Sequence, residues 1–427
     1  MSQRAAKIQV HQAGVTEARC LEAKLADSCA LVIFGITGDL AARKLIPALY
    51  HLSVEGSLPD SFCVVGVSRS AKDVDALRAA LREAVKKHSR TGFDEAAWAR
   101  LEPRIDCVAG SGSDPATYAR LKVKLEELDA RYGIPGNRLF YLAVAPSIFP
   151  PILNLLKSAG LVRNPDEECP WSRVIVEKPF GFDLATAQEL NRLVGEVLDE
   201  RQTYRIDHYL GKETVQNLLV LRFANSIFEP LWSRKHIDNV QVTAAEHLLV
   251  AHRGEFYDQT GVVRDIVQNH LLQILAMVIM EPPVSLDGDD IRDQKVQAIR
   301  SLRPVDPEEV VFAQYEGYRE VEGVAEGSRT PTYLGLKAWV DNWRWHGVPF
   351  YLRAGKGLRA RDTEVAITFR PVPSVLFGRG KVAPNQLILQ IQPDDGISLS
   401  FASKVPGEGV TIGTVNMSGG TFAGGGT

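Results

Sequence analysis

Short apolar runs alternate with amphipathic stretches over the first half of the chain. The apolar runs predict buried strands at residues 30–34, 62–67, 139–144 and 173–177. The stretches between them predict helices at residues 40–51, 73–88 and 115–132. Because strands buried on both faces and alternating with helices are typical of a parallel sheet, this half predicts a doubly wound α/β domain.

The pattern changes after about residue 205. Residues 262–280 predict one long, largely apolar helix. Alternating apolar and polar positions then predict strands with one covered face at residues 332–340, 364–369, 387–391 and 397–401. We therefore expect an α+β domain with a large, mainly antiparallel sheet. The last ten residues, 418–427, contain five glycines, which predict a flexible tail rather than a packed strand.

Composition and charge narrow the class of protein. The 427 residues include 49 Lys and Arg against 52 Asp and Glu, a net charge of −3, which excludes a protein that coats nucleic acid through bulk charge. We find no apolar segment of the ~18–20 residues needed to span a membrane and no signal-peptide core at the N-terminus. The five cysteines form no C-x-x-C pair. Together these features predict a cytoplasmic enzyme without a metal site.

A glycine turn follows the first predicted strand. Gly35 and Gly38 lie between that strand and a predicted helix, where a turn lets the backbone and a helix N-terminus approach a pyrophosphate. The spacing departs from G-x-G-x-x-G, and an ordinary glycine-rich turn would give the same pattern. Arg69 follows the second strand, where an NAD site usually carries an acid, so a 2′-phosphate and NADP are favoured. An arginine exposed for solubility would also fit this position.

Two further segments carry ionisable side chains. Residues 205–213 (RIDHYLGKE) place Asp207 beside His208, and a helix there would put His208 and Lys212 on one face, able to grip a phosphate. A solvated helix face is the alternative. His270 lies on or beside the apolar face of the helix predicted at 262–280, where it is either a core residue or a shielded general base held by a carboxylate.

Six segments, in order along the chain, resemble the glucose-6-phosphate dehydrogenase family. They are GITGDLAARKLIPALYHL (35–52), EKPFG (177–181), RIDHYLGKE (205–213), DIVQNHLLQ (265–273), DNWRWHGVPFYLRAGK (341–356) and QIQPDDGI (390–397). The resemblance implies oxidation of glucose 6-phosphate at C1 to 6-phosphoglucono-lactone, with hydride transfer to NADP, the first step of the oxidative pentose phosphate pathway. It also implies a Rossmann-like NADP domain and a homo-oligomer, a dimer or tetramer if the sheet domain is intact.

The resemblance assigns roles to individual positions. It implies that His270 is the general base and that Asp207 orients this histidine. It implies contacts to the sugar phosphate at Lys178, His208, Tyr209, Lys212, Glu246, Asp265, Lys356, Arg361 and Gln392. It implies contacts to the cofactor at Gly35, Thr37, Gly38, Asp39, Leu40, Lys44, Arg69 and Lys178.

The resemblance ends near residue 417, whereas members of the family usually extend tens of residues further. We therefore predict an N-terminal extension at 1–29, a nucleotide domain at 30–204, an incomplete α+β substrate and dimerisation domain at 205–417 and the tail at 418–427. An active dehydrogenase is the first hypothesis. A catalytically impaired short form that binds nucleotide or a full-length partner is the alternative, and another NADP-linked oxidoreductase of similar plan is a third.

Overall fold

The computed structural model describes residues 26–70, 73–166, 169–181, 183–373 and 382–420. The described chain divides into two compact units, one ending at Ile206 and the other beginning at Asp207. Residues 1–25 of the predicted extension and residues 421–427 of the predicted tail lie outside the described residues. The predicted domain boundaries stay predictions.

The first unit is built on a six-stranded parallel sheet. Its strands are β1 Cys29–Phe34, β2 Phe62–Ser68, β3 Ile105–Ala109, β4 Arg138–Leu142, β5 Ser172–Val176 and β6 Thr203–Arg205. Their order is β3-β2-β1-β4-β5-β6, with every pairing parallel. This is the strand order of a Rossmann fold, so the predicted doubly wound sheet is confirmed.

Helices cover both faces of this sheet. They are α1 Ile46–Val54, α2 Val74–His88, α3 Glu95–Leu101, α4 Pro115–Tyr132, α5 Phe149–Ser158 and α6 Leu184–Val197. Alternate residues of β1 point to opposite cores: Val32 and Phe34 pack with side chains of α4, α5 and α6, whereas Ile33 packs with those of α1, α2 and α3. Burial on both faces is the reason that these strands are continuously apolar.

The second unit contains an eight-stranded mixed sheet. Its strands are β7 Ile237–Ala245, β8 Val310–Ala313, β9 Tyr333–Ala338, β10 Phe350–Gly355, β11 Asp362–Phe369, β12 Gln386–Gln392, β13 Gly396–Lys404 and β14 Ile412–Gly420. The order is β14-β13-β12-β11-β7-β10-β9-β8, and of the described pairings only β7 with β10 is parallel. The expected mainly antiparallel sheet is confirmed.

The prediction of a tail beginning at residue 418 is wrong for its first three residues. Ser418, Gly419 and Gly420 belong to β14 and pair with Ser398, Ile397 and Gly396 of β13. The glycines weaken a strand only through entropy and lost packing. Here the backbone hydrogen bonds of a long hairpin hold them in register.

The predicted helix at 262–280 is longer and less regular than expected. Helix α8 covers Gly254–Val262, a π-helical stretch covers Val263–Leu271, and α9 covers Leu272–Ile279. Gly261 has a φ of +63° and kinks the run. The remaining helices of this unit are α7 Glu213–Phe223 and α10 Gly288–Arg300. Residues of α7, α9 and the π-helical stretch pack on one face of the sheet and form its core.

The continuous run Gly254–Ile279 has 26 residues and is long and apolar enough to cross a membrane by length and composition alone. The expectation that no segment reaches this length is therefore wrong. Buried residues make up 61% of its most apolar window, and the side chains of α9 belong to the core beneath the sheet. The run is accounted for as a core helix of the second unit.

Candidate functional site

The glycine turn of the first unit lies where the strand order of the parallel sheet reverses, between β1 and β4. Gly35 directly follows β1 and has a φ of +87°, a conformation that favours glycine. A Cβ at Gly35 would also collide with the carbonyl oxygen of Ala143. Both the backbone conformation and this close contact therefore require glycine at position 35. Such a crevice at the carboxyl ends of parallel strands is where dinucleotides bind in this fold.

A helical run begins immediately after this turn. The Gly38 N–H donates to the Gly35 carbonyl over 2.9 Å, and a π-helical turn, Ala41–Leu45, leads directly into α1. No side chain caps this start within the described residues. Backbone N–H groups at such a start can bind an anion, so the turn fits the pyrophosphate of a dinucleotide.

Polar side chains surround the turn. The Thr37 hydroxyl lies 2.8 Å from that of Ser68 and 3.1 Å from that of Ser70, which joins the turn to the end of β2. Arg69 lies between those serines and is exposed. The other predicted cofactor residues are half-buried or exposed: Gly38, Asp39, Leu40, Lys44 and Lys178. Asp39 pairs with Arg43 at 3.6 Å.

In the second unit, residues 207–212 form turns rather than a helix, and α7 begins only at Glu213. The expectation that His208 and Lys212 share a helix face is therefore wrong. The Asp207 carboxylate accepts the backbone N–H of Tyr209 over 2.9 Å, which fixes a local turn that competes with helix formation. The turn exposes His208 and buries Tyr209.

His270 and Asp207 form a buried pair, although 63 positions separate them. His270 Nδ1 lies 2.6 Å from Asp207 Oδ1, and His270 is only 3% exposed. Burial alone would raise the pKa of Asp207, but the hydrogen bond and charge of His270 hold this pKa below its usual value. The carboxylate therefore stays ionised and orients the imidazole, as a base requires.

Aromatic rings pack around this histidine. The Tyr209 ring stacks on His270 with centroids 4.2 Å apart, and the His208 ring meets His270 edge-on at 4.5 Å. The Tyr209 hydroxyl lies 3.5 Å from Thr363 Oγ1 on β11, and burial raises the pKa of Tyr209. The rings leave His270 little rotational freedom, so the edge of the imidazole that does not face Asp207 has a fixed direction.

Lys212 offers a buried cationic group beside these rings. The residue is half-buried, yet its Nζ is inaccessible and has no hydrogen-bond partner in the described part of the chain. It lies 4.4 Å from the centroid of Tyr209. Burial and, to a smaller extent, the charge of Arg361 lower the pKa of Lys212 to about 8, and the charge of Asp395 opposes this shift. An amine in this state gains most from an anionic ligand.

Lys356 is the second buried amine and is already paired. It follows β10, is 6% exposed, forms an ion pair with Glu246 after β7, and lies 3.4 Å from Asp265 Oδ2. Asp265 lies in the same π-helical stretch as His270, where i→i+5 hydrogen bonding brings positions five apart closer to one face. The predicted sugar contacts Glu246, Asp265 and Lys356 are thus brought together.

Arg361 and Gln392 lie at the ends of adjacent strands. Arg361 precedes β11 and donates from Nε to Gln392 Oε1, the last residue of β12, over 3.1 Å. The charge of Arg361 acts on Lys212, so this pair borders the same cationic region. The structure therefore gathers every predicted site residue of the second unit into three adjoining groups.

Sequence reasoning missed three side chains near these groups. The Tyr257 ring lies 5.5 Å from Lys356 Nζ, and its hydroxyl is buried without a partner within the described ranges. Lys295 of α10 is half-buried, and the charge of Asp207 acts on it. Thr363 meets Tyr209. Tyr257 could have been found, since it lies eight positions before Asp265 on one helical run. Lys295 and Thr363 carry no comparable signal.

Models of one family match nearly the whole described chain. The model described as "Glucose-6-phosphate dehydrogenase, NAD binding domain" matches residues 32–217. The model described as "Glucose-6-phosphate dehydrogenase, C-terminal domain" matches residues 219–421. The two matches follow each other in chain order and together contain all the residues of the groups described above.

Similar proteins and structures carry the same family name. Glucose-6-phosphate 1-dehydrogenase of Chlamydia pneumoniae is 44% identical over 91% of this chain and 79% of its own length. The Bacillus subtilis enzyme is 40% identical over 88% of this chain and 78% of its own. The crystal structure of glucose-6-phosphate 1-dehydrogenase from Mycobacterium avium is 42% identical, with a TM-score of 0.82 over 92% of this chain and 84% of its own.

A further solved structure is a glucose-6-phosphate dehydrogenase in complex with its substrate glucose-6-phosphate. It is 35% identical, with a TM-score of 0.84 over 93% of this chain and 82% of its own. Sequence identity of this extent, together with the same fold, shows that this chain and these proteins are homologous. The chain belongs to the glucose-6-phosphate dehydrogenase family.

Proposed function

We propose that the chain oxidises glucose 6-phosphate at C1 to 6-phosphoglucono-lactone with NADP as the hydride acceptor. The observation that carries this proposal is the buried pair of His270 and Asp207, whose Nδ1 and Oδ1 atoms lie 2.6 Å apart. Relatives named glucose-6-phosphate 1-dehydrogenase, and a relative whose structure holds glucose-6-phosphate, support the substrate.

His270 acts as the general base in this proposal. Hydride leaves C1 readily only as negative charge builds on O1, so O1 must lose its proton during the reaction. His270 accepts this proton on the nitrogen that does not face Asp207, and the ionised Asp207 stabilises the imidazolium that forms. The stacked Tyr209 ring, 4.2 Å away, keeps the accepting nitrogen in one orientation.

The phosphate binds to the cationic side chains. His208 is exposed on the turn, and the buried amine of Lys212 has no hydrogen-bond partner in the described residues. A phosphate dianion would give Lys212 the charged partner that burial denies it. Because the phosphate lies at the far end of the sugar from C1, its binding energy orients C1 toward His270.

The sugar hydroxyls bind to the group around Lys356. Glu246 and Asp265 each supply an acceptor, and Lys356, held between them, supplies a donor. Arg361 and Gln392 border the phosphate end. The family resemblance implies that Lys178 contacts the sugar and the cofactor, and this assignment stays a prediction.

The cofactor binds at the glycine turn. When bound, the nicotinamide supplies the hydride acceptor. Gly35 and Gly38 would allow the close approach of the backbone, and the backbone N–H groups of the helix start after them would hold the pyrophosphate. Arg69 lies at the end of β2, where an acid would favour NAD. In this proposal the 2′-phosphate of NADP binds to the guanidinium of Arg69. It also binds to the neighbouring hydroxyls of Thr37, Ser68 and Ser70.

We also propose that the chain forms a homo-oligomer in the cytoplasm. In β10, Phe350 and Leu352 are buried while Tyr351 and Arg353 are exposed, so one face of the large sheet is open in a single chain. The described cysteines are free thiols, as is usual in a reducing compartment. Light scattering on purified chain tests the oligomeric state, and a monodisperse monomer would contradict it.

Formation of reduced cofactor by the purified chain tests the central proposal. We expect turnover with glucose 6-phosphate and NADP, little turnover with unphosphorylated glucose, and a lower kcat/KM with NAD. Circular dichroism establishes that the sample is folded. A folded sample without turnover would contradict the activity, and turnover only on another sugar phosphate would contradict the substrate.

A further inference from the structure

Three tyrosines form a small aromatic cluster beside the group around Lys356. The Tyr257 ring of α8 meets the Tyr318 ring edge-on with centroids 6.1 Å apart, and Tyr318 meets Tyr315 edge-on at 5.6 Å. Tyr257 and Tyr318 are buried in a hydrophobic cluster of their own, separate from the larger core beneath the sheet. The chemistry proposed above uses none of these three rings.

Tyr315 contacts two of the segments that carry the group around Lys356. Its hydroxyl accepts the backbone N–H of Val250 over 3.2 Å, on the loop that follows Glu246. A Cβ at Gly357, the residue after Lys356, would lie 3.0 Å from atoms of the Tyr315 ring. The aromatic cluster therefore packs directly against the backbone on which this group is built.

Tyr318 helps to fix the orientation of Tyr257 on α8. The Tyr318 hydroxyl donates to the carboxylate of Asp258, the residue after Tyr257, over 2.9 Å. Ser328 Oγ and the backbone N–H of Ala325 donate to the same carboxylate. Because three donors between β8 and β9 bind one carboxylate of α8, the helix has little freedom to turn, and the neighbouring Tyr257 keeps its direction.

The Tyr257 ring reaches the amine at the centre of the group. The ring centroid lies 5.5 Å from Lys356 Nζ, which is within the range of a cation–π contact. Glu246 forms an ion pair with the same Nζ, and Asp265 Oδ2 lies 3.4 Å from it. An ammonium has three N–H donors, so two carboxylates leave at least one for a ligand. The ring and the carboxylates together restrict where that donor can point.

The hydroxyl of Tyr257 adds nothing to this contact. It is buried and has no hydrogen-bond partner among the residues that the structure describes. A buried hydroxyl without a partner lowers stability, and a phenylalanine ring would fill nearly the same volume without this loss. The part of Tyr257 that can serve the site is therefore its ring.

We propose that Tyr257 is a positioning residue for substrate binding, and that its ring holds the Lys356 ammonium in the direction of the sugar hydroxyls. This inference rests on the proposed function, in which Lys356 donates to the sugar. The contact between the ring and the amine does not depend on that function, so the two can be tested separately.

Steady-state kinetics test the positioning role. Tyr257→Leu removes the ring but keeps an apolar side chain, so the KM for glucose 6-phosphate should rise about 3- to 30-fold with kcat and the cofactor KM largely kept. Tyr257→Phe keeps the ring and should restore the KM. Trp339→Leu is the matched control, since the Trp339 ring lies 4.2 Å from Lys337 Nζ, which also pairs with Glu309.

Chemical labelling tests the contact without turnover. Acetic anhydride modifies lysine amines, and mass spectrometry of the full chain after digestion reads each position. Loss of the ring uncovers Lys356, so its labelling relative to Lys337 in the same sample should rise at least about 3-fold in Tyr257→Leu. Tyr257→Phe should keep the ratio of the unchanged chain. Circular dichroism establishes that each variant is folded, and Tyr257→Met replaces Tyr257→Leu if the latter does not fold.

The outcomes separate this inference from the proposed function. An active Tyr257→Leu with an unchanged KM for glucose 6-phosphate would overturn the positioning role. An equal rise of the KM in Tyr257→Phe or in Trp339→Leu would also overturn it, and so would unchanged labelling of Lys356. A folded chain that never turns over, but in which Tyr257→Leu uncovers Lys356, would refute the proposed function and retain the contact.

Discussion

The two units present their chemical groups in different ways. The groups of the first unit are mainly backbone groups, at the glycine turn after β1 and at the helix start that follows it. The side chains around this turn, such as Arg69, are exposed. The second unit offers buried side chains in charge pairs, with His270 3% exposed and Lys356 6% exposed. A backbone site tolerates changes at its rim but not in its turn. A buried paired site loses function when any partner is removed.

The largest effect is expected in the second unit. His270→Asn removes the base but keeps a polar side chain of similar reach, so turnover should fall by about 10²–10⁴-fold with substrate affinity largely kept. Steady-state kinetics of cofactor reduction measure this. His346→Asn, at an exposed histidine that also lies near an aspartate, is the control and should have no effect. An unchanged kcat in His270→Asn would remove this residue from the role of base.

The next largest effect is expected from a substitution in the glycine turn of the first unit. Gly35→Ala introduces a Cβ at a φ of +87° and against the Ala143 carbonyl, so we expect a loss of about 1–3 kcal/mol from strain alone. Thermal unfolding and cofactor titration measure it, and both should worsen. Gly56→Ala is the matched control, since Gly56 has a φ of +69° but no described atom within 4 Å of the added Cβ. Equal cofactor affinity in the two variants would argue against a close backbone approach at Gly35.

Removal of the Lys212 amine should have a smaller, more selective effect. Lys212→Ala deletes one charge-assisted contact of about 1.5–3 kcal/mol, which corresponds to a rise of roughly 10–100-fold in the KM for glucose 6-phosphate. The KM for the cofactor should stay within a factor of about two. Lys86→Ala, at an exposed helix position, serves as the control. Equal losses for both substrates would contradict a phosphate contact.

The same amine predicts a pH dependence. Burial lowers the pKa of Lys212 to about 8, so the free protein loses the ammonium as pH rises through that value. Since phosphate binding needs the charged form, the kcat/KM for glucose 6-phosphate should fall by up to about tenfold per pH unit above 8. The arginine of Lys212→Arg keeps its charge at these pH values, so this variant should not show the fall in kcat/KM above pH 8. If Lys212→Arg has the same pH profile of kcat/KM as the unchanged chain, another group is responsible for the fall above pH 8.

The smallest effect is expected at the rim of the first unit. Arg69→Ala removes an exposed guanidinium, so the preference for NADP over NAD should narrow by about tenfold while turnover at saturation is kept. The ratio of kcat/KM for the two cofactors measures this change. An unaltered ratio would refute the contact to the 2′-phosphate.

The sequence predicts the first unit better than the second, for a physical reason. Strands buried on both faces are continuously apolar, and the turn at Gly35 and the helix Pro115–Tyr132 are local features that can be read in one window. The pairing of Asp207 with His270 spans 63 positions, and only the fold brings the two together. The family resemblance implies their proximity, whereas their spacing in the sequence does not.

Errors in the second unit came from local signals that other forces override. The spacing in residues 207–212 predicts a helix face, but the Asp207 carboxylate accepts the backbone N–H of Tyr209 and favours a turn. The apolar pattern around His270 predicts a regular helix, yet the middle of this run is π-helical, a form often found at functional sites. The glycine content predicts a tail that includes Gly419 and Gly420, but pairing with β13 holds both residues in β14.

The central claim is that Asp207 and His270 act as one catalytic unit, and the kcat of the Asp207→Asn, His270→Asn double variant tests it most directly. If the carboxylate works only through the imidazole, the double variant should be no slower than His270→Asn alone, because effects within a unit are not additive. A loss equal to the product of the two single losses would mean that Asp207 and His270 act independently and would contradict the account.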